Sequence, residues 1–262
     1  MDVIERVIDN IHLIFIVFCR ISGFFSILPI FGRRTYPAMG KIVLAFFTSL
    51  ILLPMVNDAV NIRVDNLWLY TALVFHEIAI GFVLGFAVYI MFVSIYIAGQ
   101  MIDMQMGFGI VNVLDPQTNI QVPIMGNFYY ILTLLIFLTI NGHHILLLQI
   151  IESYRVISPG EGIFNEALLW SVVKIFGQMF LIGFKIAMPV VGAVYLTDVA
   201  LGITARTVPQ MNVFIVGLPL KILMGIIVIM FVLPMYLIVL DGIFSGTYKN
   251  FLMVLKAMLP RW

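Results

Sequence analysis

The stretch QMGFGIVNVLDPQTNIQVPIMG, Gln105 to Gly126, lies between two of the most apolar parts of this chain. It holds three glycines (Gly107, Gly109 and Gly126), two prolines (Pro116 and Pro123) and one charge, Asp115. Each proline lacks a backbone N–H and crowds the preceding turn, so the stretch cannot run as one helix. Its glycines open backbone conformations closed to other residues. Yet it is too apolar for an ordinary surface loop. Non-helical backbone between membrane-length helices survives where protein buries it or where it lines an aqueous cavity. The stretch therefore predicts a membrane protein with a break at its centre, which is either a substrate site or a packed interruption.

Composition supports the membrane reading. The 262 residues are 63% hydrophobic and 10% charged, and the mean hydropathy is +1.13. A soluble domain of this length buries a full core with far fewer apolar residues. The net charge of +1 gives no footing for nucleic acid, and the lone Cys19 excludes an intramolecular disulfide. The head MDVIERVIDN carries Asp2, Glu5 and Asp9 against Arg6, the wrong charge for a secretory leader, so a retained first helix is expected.

Six apolar blocks stand out: Ile11–Ile30, Ile42–Val56, Leu67–Ile102, Phe128–Ile151, Ile175–Ala200 and Ile222–Leu240. The second has fifteen residues, short of the roughly 20 that cross a bilayer. The third has 36, with Glu77 as its one formal charge. As a single helix it would be about 54 Å long against a hydrocarbon core of about 30 Å, so it is expected to protrude, bend or break. Pro189 and Gly192 are expected to interrupt the fifth. The segment Glu152–Lys174, with Pro159, Gly160 and Gly162, reads as the most loop-like. No linker separates two domains, so residues 1–262 read as a single membrane-embedded domain. Arg33, Arg34 and Lys41 place the first connection in the cytoplasm. A zigzag of six spans then leaves Lys249, Lys256 and Arg261 outside, against the same rule. Not every block is therefore a lipid-facing span.

The charges within or beside these blocks are Arg20, Glu77, Lys185 and Asp198, with Arg206 and Lys221 in the connection that follows. Ionisable groups facing lipid are costly, so they are expected to face protein, a partner or water. One reading is an ion path; the other is pairing that fixes packing or assembly, which scattered charges of both signs favour. Lys185 and Asp198 pair with each other only if their helix breaks. His143 and His144, in NGHHI, invite a metal site. Neighbours on a helix point about 100° apart, and no further ligand stands nearby, so they read as polar contacts at a helix end. GFVLG, Gly81 to Gly85, permits close helix approach. Met101, Met104, Met106 and Met125 flank the opening stretch and suit an adaptable surface. No nucleotide-binding, metalloprotease or serine-hydrolase motif occurs.

Several segments together carry a resemblance. They are Arg20 with LPIFGRRTYP (Leu28–Pro37), HEIAIGFVLGF (His76–Phe86), AGQMIDMQMGFGIVNVLDP (Ala98–Pro116), FLTINGHH (Phe137–His144) and LGITARTVPQMNVFIVGLPLK (Leu201–Lys221). In order and spacing the chain resembles the FliR family of flagellar type III export-gate subunits, which has counterparts in injectisomes. The resemblance implies an all-α integral membrane protein of long, partly broken helices and hairpins that is not an enzyme and carries no cofactor or metal. It implies a helical pore complex with FliP-like and FliQ-like subunits, working with FlhA-like and FlhB-like proteins and a separate ATPase. The location implied is the bacterial inner membrane at the flagellar basal body, and the cargo is unfolded flagellar protein. The family's plug falls on Gly107–Gln121. Met106, Phe108, Ile110 and Val113 are then its pore-blocking side chains, and Gly107, Gly109, Asp115 and Pro116 shape it. The rival expectation is a small-molecule or ion transporter with its site at the 105–126 break, where Glu77, Asp103 and Asp115 would couple ions. A membrane hydrolase using His143 and His144 lacks an apparent nucleophile.

Overall fold

The computed structural model describes residues 11–28, 37–57, 66–109 and 123–259. Among them are seven α-helices and no strand: α1 (Ile11–Ile27), α2 (Ala38–Asn57), α3 (Leu67–Met106), α4 (Ile124–Thr139), α5 (Gly142–Val156), α6 (Glu166–Thr207) and α7 (Val213–Ala257). The all-α membrane class is as expected. Helices α3, α6 and α7 are long and apolar enough to cross a membrane, and α4 with α5 forms a fourth candidate interrupted by a bend.

Several boundaries correct the sequence reading. Residues Leu67–Met106 form one 40-residue helix, about 60 Å long, with no break. Helix α6 runs 42 residues straight through Pro189 and Gly192. A proline removes one ladder bond, and the long helical runs on either side of it hold the helix together. The apolar run Phe128–Ile151, expected as one block, is instead two helices. Asn141 adopts a left-handed conformation (φ 58°) between them, and Gly142 begins α5. The loop-like segment 152–174 shrinks to 157–165. There Asn165 Oδ1 accepts from Leu168 N at 2.9 Å and caps α6. Asn212 caps α7 in the same way, accepting from Phe214 N at 3.1 Å. The fifteen-residue second block belongs to a 20-residue helix, because Ala38–Lys41 and Asn57 join it.

The chain divides into two compact units. Unit 1 comprises 1–90, 138–175 and 246–262; unit 2 comprises 91–137 and 176–245. In unit 1, α1 packs against both α2 and α3. The α1–α3 crossing depends on the small residues of GFVLG. A Cβ on Gly81 would collide with the Arg20 carbonyl, and one on Gly85 would lie 2.8 Å from the Phe24 carbonyl oxygen. Phe24 also meets Phe251 of α7 edge-on at 6.4 Å. In unit 2, Phe92, Phe137 and Phe244 form an edge-to-face cluster, with centroids 5.4 Å and 5.1 Å apart along the chain of contacts. Tyr129 stacks edge-on with Tyr236 at 4.9 Å, and the Tyr236 hydroxyl shares a 2.6 Å hydrogen bond with Thr133 Oγ1. Gly183 of α6 approaches the Ser94 carbonyl of α3 so closely that a Cβ there would sit 2.9 Å from it.

Candidate functional site

Each unit holds a polar cluster. In unit 1 Arg20 of α1 and Glu77 of α3 are both fully buried and form a two-pronged pair: Arg20 Nε donates to Glu77 Oε2 at 2.6 Å and Nη2 to Oε1 at 3.1 Å. Such parallel bonds between planar groups are the strong form of an ion pair. The third guanidinium nitrogen, Nη1, donates to the carbonyls of Ser153 (3.2 Å) and Ile157 (3.0 Å) at the end of α5. The Tyr154 ring lies 4.2 Å from the guanidinium carbon, and its hydroxyl donates to the Val17 carbonyl at 2.9 Å. Glu77 also accepts from Gly160 N at 2.9 Å. One residue earlier, His76 Nε2 lies 2.8 Å from the Gly162 carbonyl. The loop 157–165 is therefore tied to α3 at two consecutive residues. Each guanidinium nitrogen and both Glu77 oxygens are bonded to protein, so the cluster acts as a clamp.

Unit 2 carries the boundaries of the opening stretch. Helix α3 ends where Gly107 turns left-handed (φ 86°). Phe108 N donates to the Asp103 carbonyl (3.1 Å) and Gly107 N to the Met104 carbonyl (3.3 Å). This is the Schellman ending, in which glycine takes the left-handed position. On the return side Pro123 precedes α4, where its missing N–H removes no helical bond. The Asp103 carboxylate, buried on α3, accepts from Met125 N at 3.0 Å and Gly126 N at 3.2 Å. A side chain of one helix thus caps the next, which satisfies two first-turn N–H groups that have no partner in their own helix. Beside it the two backbones touch: a Cβ on Gly99 would overlap the backbone of Gly126. The stretch leaves and re-enters through a narrow neck formed by Gly99, Asp103 and Gly126.

The other side of this neck faces α6 and α7. Met106 is fully buried, and its thioether lies over Gly225 of α7, where a Cβ would meet Met106 Cε at 2.6 Å. Phe108 is half-buried, and Gly109 is exposed with open space around it. The Lys221 ammonium pairs with Asp198, which also accepts from Gln105 Nε2 at 3.2 Å. These groups line a cavity of about 760 Å³, together with Met104, Gly109 and Phe214.

Of the residues singled out in the sequence, Arg20 and Glu77 are brought together. Asp198 pairs with Lys221 rather than with Lys185, since α6 is unbroken between them. Lys185 and Arg206 are exposed on α6. Ile110, Val113, Asp115 and Pro116 lie outside the described residues. His143 and His144 stack at 4.2 Å in the first turn of α5, and the described residues hold no cluster of three metal-ligating side chains. The neck residues Gly99 and Gly126 were not anticipated, and Asp103 was considered only as an ion-coupling group. The available signal was a carboxylate four residues before Gly107, facing a segment that restarts at a proline.

Residues 11–247 match the family model described as bacterial export proteins, family 1. The chain is 41% identical over 249 residues to the flagellar biosynthetic protein FliR of Bacillus subtilis strain 168, covering 94% of this chain and 95% of the relative. It is 30% identical to FliR of Aquifex aeolicus strain VF5, covering 88% and 89%. FliR of Escherichia coli K12 is 28% identical, with 98% and 97% covered. A match that runs through all seven helices, and through both sides of the neck, shows that the chain belongs to the bacterial export proteins of family 1, the family of the flagellar biosynthetic FliR proteins.

Proposed function

We propose that this chain helps to form the pore through which unfolded flagellar proteins cross the inner membrane, with the loop at 107–121 as its plug. By family it is a subunit of the flagellar export apparatus and not an enzyme. In the finer reading, residues 1–262 act as one membrane-embedded gate subunit at the basal body. It assembles with FliP-like and FliQ-like chains and engages FlhA-like and FlhB-like ones. Arg206 and Lys185 are then available for assembly, while Arg20, Glu77, Asp198 and Lys221 serve internal pairing.

The neck carries this reading. A plug must be displaced by a polypeptide without unravelling the helices that hold it. Here the loop is fixed on its exit side by the Schellman ending at Gly107 and on its return side by Asp103. The transporter reading gains little from the adjoining cavity. Its charges, Asp198 and Lys221, neutralise each other, and Gln105 takes up a further acceptor.

The test is to delete residues 110–119 from the chromosomal gene. The expected result is a normally assembled complex that leaks small ions, and a cell that grows. Full deletion of the gene is expected to abolish swimming and hook-protein export. A motile strain with normal filaments after full deletion would refute the export reading. Unchanged conductance in the assembled loop deletion would refute only the plug.

A further inference from the structure

Helix α6 separates its two faces by burial, although both are apolar. At 3.6 residues per turn, Met179, Ile186, Val190, Val194 and Leu201 fall on one side, and all are buried in unit 2. On the opposite side lie Leu181, Phe184, Met188, Tyr195 and Val199, all exposed. Gly177 and Gly192 share this outer side, and a Cβ at either would meet nothing within 4 Å. Lys185 stands beside them and is exposed. Among the described residues no ion pair includes it. The ten residues before it, back to Ile175, and the twelve after it, to Thr197, carry no formal charge.

Two features set this surface apart from one that simply meets lipid. A lysine near the middle of a bilayer-length apolar run is costly in hydrocarbon and is normally paired. Pro189 lies four residues later and has no N–H, so the Lys185 carbonyl also lacks its helical donor. A cation and a freed acceptor therefore coincide on one exposed turn, flanked by two glycines that permit close backbone approach. Between Gly177 and Tyr195 Lys185 is the one formal charge, and Asp198, beyond that span, is turned inward to Lys221 and Gln105.

We propose that the outer face of α6 from Gly177 to Tyr195 receives an apolar helix of another subunit, and that a carboxylate on that helix pairs with Lys185. This rests on the reading of the chain as a subunit of a membrane assembly and specifies the chemistry of its neighbour. The partner helix approaches closely at Gly177 and Gly192 and presents Asp or Glu between them. Sign, depth and the small residues on both sides together select such a helix over a bare lipid tail.

The experiment uses the tagged full-length chain, expressed in its host and purified from membranes in mild detergent, with co-purifying membrane subunits quantified. Lys185→Glu is expected to lower their recovery at least tenfold, and Lys185→Arg to leave it within twofold. Gly192→Trp, which adds bulk without changing charge, is expected to lower recovery by a comparable factor. Selection for restored swimming in the Lys185→Glu strain is expected to yield an acidic-to-basic change in a neighbouring subunit. Because Gly192→Trp fills space that is open in this chain alone, its membrane level reports folding separately from assembly. Wild-type recovery of Lys185→Glu and of Gly192→Trp would overturn the proposal and assign the face to lipid. Failure of the unmodified chain to recover any other subunit would overturn the assembly reading, and this proposal with it.

Discussion

Unit 1 and unit 2 each contain an ion pair between two helices, and the two pairs do different things. Arg20 and Glu77 have no solvent-exposed side-chain surface, whereas Lys221 and Asp198 keep 27% and 32% exposure on the wall of a cavity. The first pair is surrounded by acceptors and donors of the loop 157–165, so it organises backbone. Among the described residues the second is shared with Gln105 alone, and it leaves room beside it. Formal charge therefore says little about what a residue holds in place. The number of backbone groups that depend on it says much more. Asp103 lies between the extremes: it is buried, pairs with no cation among the described residues, and is committed to two N–H groups of α4.

The largest effect is expected on removing half of the buried pair. Glu77→Ala leaves the Arg20 guanidinium uncompensated and should destabilise the protein by about 3–5 kcal/mol. Thermal unfolding of the detergent-solubilised protein would show this as a loss of the folded form. The double replacement Arg20→Met with Glu77→Leu should recover much of that loss, since an apolar pair of similar volume is often neutral. If the double variant is no better than the single, the clamp depends on the charge itself. Asp103→Ala should come next, at about 1–3 kcal/mol for two backbone donors left without an acceptor. Its distinctive readout is hydrogen exchange, which should quicken at Met125 and Gly126 while Gly160 stays protected. Equal protection in the variant would mean that the neck is held by the Gly99–Gly126 packing alone. Lys221→Met should be the mildest, at about 0–1 kcal/mol, as for other partly exposed pairs. A loss as large as that of Glu77→Ala would erase the distinction between the two units.

Much of the fold was legible because the bilayer imposes it. Apolar runs of sufficient length, with no strand-like alternation, leave helices as the available structure. The breaks were harder to read, because a single residue's preference competes with the runs around it. Pro189 and Gly192 were expected to stop α6, yet they sit within 42 helical residues and cost only local bonds. Asn141 and Gly142 form a recognised turn dipeptide and do break the chain, but they lie inside an apolar run that hides them. The site was partly legible. Arg20, Glu77, Asp198 and Lys221 stood out as charges in apolar surroundings. Their pairings span 57 residues for the first pair and a helical turn-around for the second, distances at which periodicity carries no information. Asp103 was the least legible, since its partners are backbone amides, which no residue type announces.

The interleaving of the two units carries a consequence for synthesis. Unit 1 needs both its first helix and the end of the last: Phe24 meets Phe251, and the Met258 carbonyl accepts from Ile163 N at 2.9 Å. Phe251 is made 227 residues after Phe24 (251 − 24). At roughly 5–20 residues per second, that is a wait of about 11–45 s. For this interval part of the core around α1 is uncovered, and unit 2, whose pieces lie between positions 91 and 245, is itself complete only six residues before Phe251 (251 − 245). Both units thus close only as the last helix is made, and the newborn protein passes through a long stage in which its first helix waits for its final neighbour.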